Sequence, residues 1–186
     1  MRIIAGKFRG KKLILPVDKK TRPLRNMVKE SLFNLLHHSN KFKVKIEDSK
    51  ILDLFAGSGS FGLECISRNA KSVSFLESYP EALKILKKNI SKFKNFKNYK
   101  IIEQNCFDFF KTNQILDEKY DIIFCDPPYK ELRINIVINK IIEDKLLKPN
   151  GIIIIHRHKK DTINITKKMR VLDTRNYGIS KIIIGF

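Results

Sequence analysis

The chain has 186 residues, 42% of them hydrophobic and 31% charged, and a net charge of +19. That length and apolar content suit one domain with one substantial core, and they exclude collagen-like, low-complexity and disordered classes. A charge of that size points to a polyanionic partner, most often nucleic acid.

In chain order, residues 2–15 read as a small hairpin bent at Gly6 and Gly10. Residues 22–38 read as a helix whose buried stripe is Leu24, Val28, Leu32, Leu35 and Leu36, closed by His37 and His38 near its terminal carbonyls. Residues 1–49 thus form a basic appendage too small for its own core, ahead of a main domain over 50–186. In that domain, 51–55 reads as a buried strand, 60–69 as a helix and 72–77 as a second strand. Residues 80–92 follow as a helix with Pro80 in its first turn. Residues 99–103 and 120–125 are the third and fourth strands. Residues 131–145 are a helix with Ile134, Val137, Ile138, Ile141 and Ile142 on one face. A fifth strand spans 151–155, and two more lie near 170–174 and 180–186. Alternation of helices with continuously apolar strands predicts an α/β class: a seven-stranded, mostly parallel sheet with helices on both faces. Right-handed crossovers give the first five strands the order 3-2-1-4-5.

The charge is blocky. Residues 1–29 carry +9, 84–100 carry +7 and 156–170 carry +5, so the other 125 residues sum to −2. A composition rich in Lys, Ile and Asn would spread charge diffusely, and concentration in blocks favours a binding footprint. Arg2, Lys7, Arg9, Lys11 and Lys12 on the bent hairpin are the better phosphate-binding candidates. The lysines of 84–100 read as a solvated helix face and loop. His156 and His158 read as surface residues within a basic run, with phosphate contact as their alternative role. Tyr79 and Phe93 read as packing. Cys65, Cys106 and Cys125, 41 and 19 residues apart, match neither a CxxC metal pair nor a disulfide framework. Buried thiols, no metal, no membrane segment, a cytoplasmic location and a monomer are expected.

Two stretches carry chemistry. Residues 53–62 place Gly57-Ser58-Gly59 and Gly62 between a strand and a helix, with Glu77 twenty residues after Gly57 at the next strand's end. Glycines admit a ligand close to the backbone, and the carboxylate accepts ribose hydroxyls. Asp53 suits a cationic aminoacyl end and is awkward beside a pyrophosphate, which favours S-adenosylmethionine over a dinucleotide. The second stretch, Asp126-Pro127-Pro128-Tyr129, directly follows the fourth strand. Its prolines stiffen the turn and remove two N–H donors. Asp126 and the Pro127 carbonyl can accept both hydrogens of an exocyclic ring amine, and Tyr129 can stack on the ring. In the order 3-2-1-4-5, both stretches lie at the carboxyl ends of neighbouring strands, where ligands bind.

These stretches resemble motifs I and IV of class I S-adenosylmethionine-dependent amino-methyltransferases. Residues 2–13, Thr21-Arg22-Pro23 and residues 28–34, in that order, narrow the resemblance to the RsmD family of bacterial 16S rRNA guanine-N2-methyltransferases. The resemblance implies a Rossmann-like class I methyltransferase fold and S-adenosylmethionine as cofactor. It also implies methylation of one guanine, 966 in the family's naming, in 16S rRNA of the small subunit or its assembly intermediate. By position, Gly57 and Gly59 contact the cofactor, Glu77 takes the ribose, Asn105 and Cys106 face the adenine, and Asp126, Pro127, Pro128 and Tyr129 hold the guanine amine. Arg22 joins the expected RNA contacts. Two residues depart from the pattern: Leu24 stands where Thr is usual, and His156 where Glu is usual. A DNA adenine-N6 methyltransferase shares Asp-Pro-Pro-Tyr but needs a target-recognition region for which this chain has no room. A non-catalytic RNA-binding or ribosome-assembly protein on the same fold is the other alternative.

Overall fold

The computed structural model describes residues 1–16, 24–111 and 118–186. Helix α1 (Asn26–His38) precedes β1 (Lys50–Leu54), α2 (Ser60–Ser67), β2 (Ser72–Leu76), α3 (Pro80–Ile90) and β3 (Tyr99–Ile102). Then come α4 (Cys106–Lys111), β4 (Tyr120–Cys125), α5 (Ile134–Glu143), β5 (Leu147–His158), β6 (Val171–Tyr177) and β7 (Ser180–Gly185). The strands form one sheet in the order β3-β2-β1-β4-β5-β7-β6. The first five are parallel, and β7 and β6 extend the edge antiparallel. This is the Rossmann-like arrangement, with β1 to β5 in the expected order.

Successive strand residues alternate between faces, so an unbroken apolar run supplies two cores. Ile51, Ile122, Phe124, Ile152 and Ile154 face one way, with Leu32, Phe61 and Leu86 of α1, α2 and α3. Leu52, Leu54, Ile123, Ile153 and Ile155 face the other way, with Phe107 of α4 and Val137, Ile138 and Ile141 of α5. Each fully buried Ile or Phe contributes about 1.5–3 kcal/mol relative to exposure. This two-sided burial, more than helix propensity, fixes the layers. No helix among the described residues is long and apolar enough to cross a membrane.

The edges of the elements differ from expectation for local reasons. Helix α5 starts at Ile134, and just ahead of it Glu131 accepts the Arg133 N–H at 2.9 Å, satisfying a donor that has no partner within the helix. Helix α1 starts at Asn26, after an extended Arg25; Leu24 is buried ahead of the helix, and Leu35 is only half-buried. Helix α4 was not expected at all. Strand β5 runs on to His158, three residues past the predicted strand.

The first 49 residues share the first hydrophobic cluster: Ile3, Leu13, Leu24 and Val28 pack with Phe61, Val73 and Phe75. The hairpin is held by turns and one bridge, Arg2 to Lys12, rather than by two full strands. Its anchor is Glu64 of α2, fully buried. The Glu64 carboxylate accepts the N–H groups of Ile4 and Ala5 at 2.9 and 3.0 Å. It also pairs with buried Lys29 at 3.2 Å and with Arg68 at 3.1 Å. Burial lowers the Lys29 ammonium pKa, an effect the Glu64 charge opposes. Gly6 lies against the end of α2, where an added Cβ would sit 1.8 Å from the Ser67 carbonyl oxygen at φ 81, so only glycine fits.

Candidate active site

Strands β1 and β4 are neighbours and end level, with Leu54 opposite Cys125. The two loops that follow leave the sheet side by side, where the strand order reverses. They open on one cavity of about 1290 Å³. Its walls include Asp53, Gly57, Glu77, Asn105 and Cys106, and the whole turn from Asp126 to Tyr129.

The glycine loop is held by its own backbone geometry. Phe55 turns the chain at φ 58, a conformation that costs a bulky residue about 1–3 kcal/mol and concentrates at functional sites. Gly57 and Gly59 follow with φ 56 and 79. Glu77, at the end of β2, accepts the Gly57 N–H at 2.7 Å on one oxygen and the Ser78 and Tyr79 N–H groups at 2.8 Å on the other. Its carboxylate is therefore fixed in direction at the cavity wall. Gly59 does not line the cavity; an added Cβ there would meet Leu86 Cδ1 at 2.4 Å. Its lack of a side chain lets the loop pack closely on α3.

Asp53 is 1% exposed and accepts the Gly62 N–H at 2.9 Å. Burial holds its carboxyl well above the ordinary range; the Gly62 N–H works against the rise, and the charges of Asp126 and Glu77 add to it. With Glu131, four carboxylate residues thus line one cavity, together with Arg25, Lys130 and Arg133. Asn105 caps α4, accepting the Phe107 N–H at 2.9 Å on its side-chain oxygen. Cys106 follows in the first turn, where burial pushes its thiol up, so it stays neutral.

Across the cavity, Asp126 Oδ1 lies 2.8 Å from His156 Nδ1. His156 is 5% exposed and lines the same cavity. This corrects its expected place among surface cations. Arg157, counted in the third basic block, is also buried. It donates to the carbonyls of Pro128 (3.3 Å) and Tyr129 (3.0 Å) and pairs with Asp161. Burial would raise the Asp161 pKa, but the Ile163 N–H and Arg157 hold it below the ordinary range. The Tyr129 ring stands edge-on to His156 and His158, with centroids 5.9 and 5.2 Å away. Tyr79, expected as packing, also lines the cavity, whereas Phe93 is packed in the core. Leu24 is 2% exposed, packs in the first hydrophobic cluster and also lines the cavity.

The basic candidates lie apart from the cavity. Arg2, Lys7, Arg9 and Lys12 are exposed on the hairpin. Lys11 is engaged: its Nζ donates to the Lys92 carbonyl at 2.5 Å and sits over the rings of Phe8 and Phe93. Lys92 Nζ in turn donates to the Lys12 carbonyl at 2.9 Å. The first and second basic blocks, far apart in sequence, are therefore stitched into one surface. Arg22 lies outside the described residues. Among the described residues, no cluster of His, Cys, Asp and Glu could hold a metal ion.

The family described as conserved hypothetical protein 95 matches residues 1–185. The chain is 36% identical over 180 residues to the ribosomal RNA small subunit methyltransferase D of Haemophilus influenzae, covering 96% of this chain and 90% of that protein. It is 37% identical over 165 residues to the protein of the same name from Buchnera aphidicola subsp. Acyrthosiphon pisum, covering 89% and 82%. The solved yhhF structure of Escherichia coli matches 100% of this chain and 96% of that one, with a TM-score of 0.81 at 28% identity.

Proposed function

The chain belongs to the conserved hypothetical protein 95 family, the RsmD family of methyltransferases, and from that premise we propose that it methylates the exocyclic N2 amine of one guanine, 966, in 16S rRNA. S-adenosylmethionine is the methyl donor in this reading, and the small subunit or its assembly intermediate is the substrate. The protein acts as a cytoplasmic monomer without a metal. The supporting observation is a single cavity at the sheet's switch point, with carboxylates on one side and the Asp126–Tyr129 turn on the other.

The walls fit the cofactor. Burial raises the affinity of Asp53 for a proton and the charges of Asp126 and Glu77 add to it, so the Asp53 end of the cavity suits a ligand group that brings positive charge of its own. Asp53 would face the aminoacyl end, the Gly57 loop the ligand's backbone-facing side, Glu77 the ribose hydroxyls, and Asn105 with Cys106 the adenine. When bound, S-adenosylmethionine supplies a methyl group on a positively charged sulfur that departs as a neutral thioether. With so good a leaving group, the protein needs no strong general base, and its main contribution is to hold the amine at near-attack geometry. Asp126 and the Pro127 carbonyl accept the amine hydrogens, and Asp126 offsets the positive charge that develops on nitrogen. Tyr129 stacks on the base, a contact worth about 1–3 kcal/mol. Guanine N2 cannot be reached in a packed duplex, so the target is unpaired or flipped out.

The basic surface supports an RNA partner. Arg2, Lys7, Arg9 and Lys12, with Arg22, bind phosphates, and the exposed Lys88, Lys94 and Lys97 extend the same stitched surface. The test is methyl transfer from labelled S-adenosylmethionine to assembled small subunits, naked 16S rRNA, tRNA and duplex DNA. Label on small-subunit RNA is expected; label on DNA alone, or on none of them, overturns the proposal.

A further inference from the structure

Strand β5 outruns β4, and β7 covers its other edge. Because Cys125 is paired with Ile155, one further step along each strand brings Asp126 beside His156. The resulting contact is the 2.8 Å approach of His156 Nδ1 to Asp126 Oδ1. A carboxylate only accepts hydrogen bonds, so the imidazole donates from Nδ1. His156 Nε2 is buried with no hydrogen-bond partner among the described residues. With Nε2 unpartnered, the contact that orients the ring is the one from Nδ1, and an Nδ1–H donated to Oδ1 fixes the direction of the carboxylate.

The next residue acts on the other end of the turn. Arg157 Nη1 and Nη2 donate to the Pro128 and Tyr129 carbonyls, and its charge is matched by Asp161. The Glu131 N–H also donates to the Pro128 carbonyl, at 2.8 Å. Among the described residues, no donor is seen for Asp126 Oδ2 or for the Pro127 carbonyl. Both groups belong to residues that line the cavity.

We propose that His156 and Arg157 are positioning residues that divide the acceptors of the Asp126–Tyr129 turn. They occupy one carboxylate oxygen and two carbonyls, and leave the second carboxylate oxygen and the Pro127 carbonyl for the two hydrogens of the target amine. The assignment rests on reading the turn as the amine site. It makes His156 this chain's means of orienting Asp126.

The experiment compares wild type, Asp126→Ala, His156→Leu and His156→Asn in steady-state methyl transfer to small-subunit RNA, with cofactor affinity measured by calorimetry. An Asn side-chain N–H can replace the Nδ1–H, whereas Leu only fills the space. His156→Leu lowers kcat by about 10-fold or more, leaves KM for RNA and cofactor affinity within about 2-fold, and His156→Asn recovers most of the loss. Wild-type kcat in His156→Leu overturns the assignment, as does equal loss in both variants, which would mean packing alone. A second measurement needs no activity: ¹⁵N NMR of the four histidines, with His156 identified by its absence from His156→Asn. A ring that carries a proton on Nδ1 supports the brace, and a ring protonated on Nε2 alone refutes it. If wild type methylates no RNA, the functional proposal fails, while the NMR result still decides the His156–Asp126 bond.

Discussion

Asp53→Asn separates what the cavity's buried acid does for the fold from what it does for the ligand. An amide oxygen can keep the 2.9 Å bond from the Gly62 N–H while the charge is removed. Asp53 is raised well above its ordinary 3.8, first by burial. The native state therefore keeps a proton that the unfolded chain has already lost. Stability associated with that proton is complete below the unfolded pKa and is lost as pH rises through the folded one. The stability of Asp53→Asn relative to wild type should therefore improve steadily from acid toward neutral pH, as followed by thermal melts. Cofactor affinity should move the other way. A hydrogen bond to a charged group is worth about 1.5–3 kcal/mol, so binding of S-adenosylmethionine weakens about 10- to 150-fold. Calorimetry in buffers of different ionisation heat should show proton release on binding to wild type, reduced in the variant. A relative stability that falls with rising pH, or wild-type cofactor affinity in the variant, would refute the reasoning.

Three further outcomes follow from the same structure. Asp126→Ala keeps cofactor affinity but loses methyl transfer by about 10²-fold or more, because amine alignment and charge stabilisation go together; near-normal turnover would remove Asp126 from the role. Glu64→Ala leaves Lys29 buried without its partner and frees two hairpin N–H groups, so chemical denaturation should show a loss of about 3–5 kcal/mol. Replacing Lys88, Lys94 and Lys97 together by Gln should flatten the salt dependence of RNA binding by about 2 in log–log slope and leave cofactor binding unchanged; an unaltered slope would assign those lysines to solvent.

What could be read from the sequence follows physical range. The buried strands were legible because runs such as residues 151–155 are short, unbroken and β-branched, which suits a sheet covered on both faces better than a helix. The two site loops were legible because each is contiguous and follows a strand, and sheet order alone then joins them. Helix α4 was missed although its start was written locally: Asn105 is its cap, and Asp108 lies in its first turn. His156 and Arg157 were misplaced because a His-Arg-His-Lys-Lys run looks like surface. Their burial depends on β7 pairing with β5 out to His158, a contact with no trace in the local pattern. Likewise, nothing near Lys11 announces that its ammonium ends on the Lys92 carbonyl.

The most direct test of the central claim is where the methyl group goes. Small subunits lacking the modification are incubated with this protein and labelled S-adenosylmethionine, and the digested rRNA is resolved into nucleosides by mass spectrometry. The account predicts one N2-methylguanosine in 16S rRNA, at a single site, and none with Asp126→Ala. Label on another base, on ring nitrogen or ribose, or spread over many guanines would contradict it.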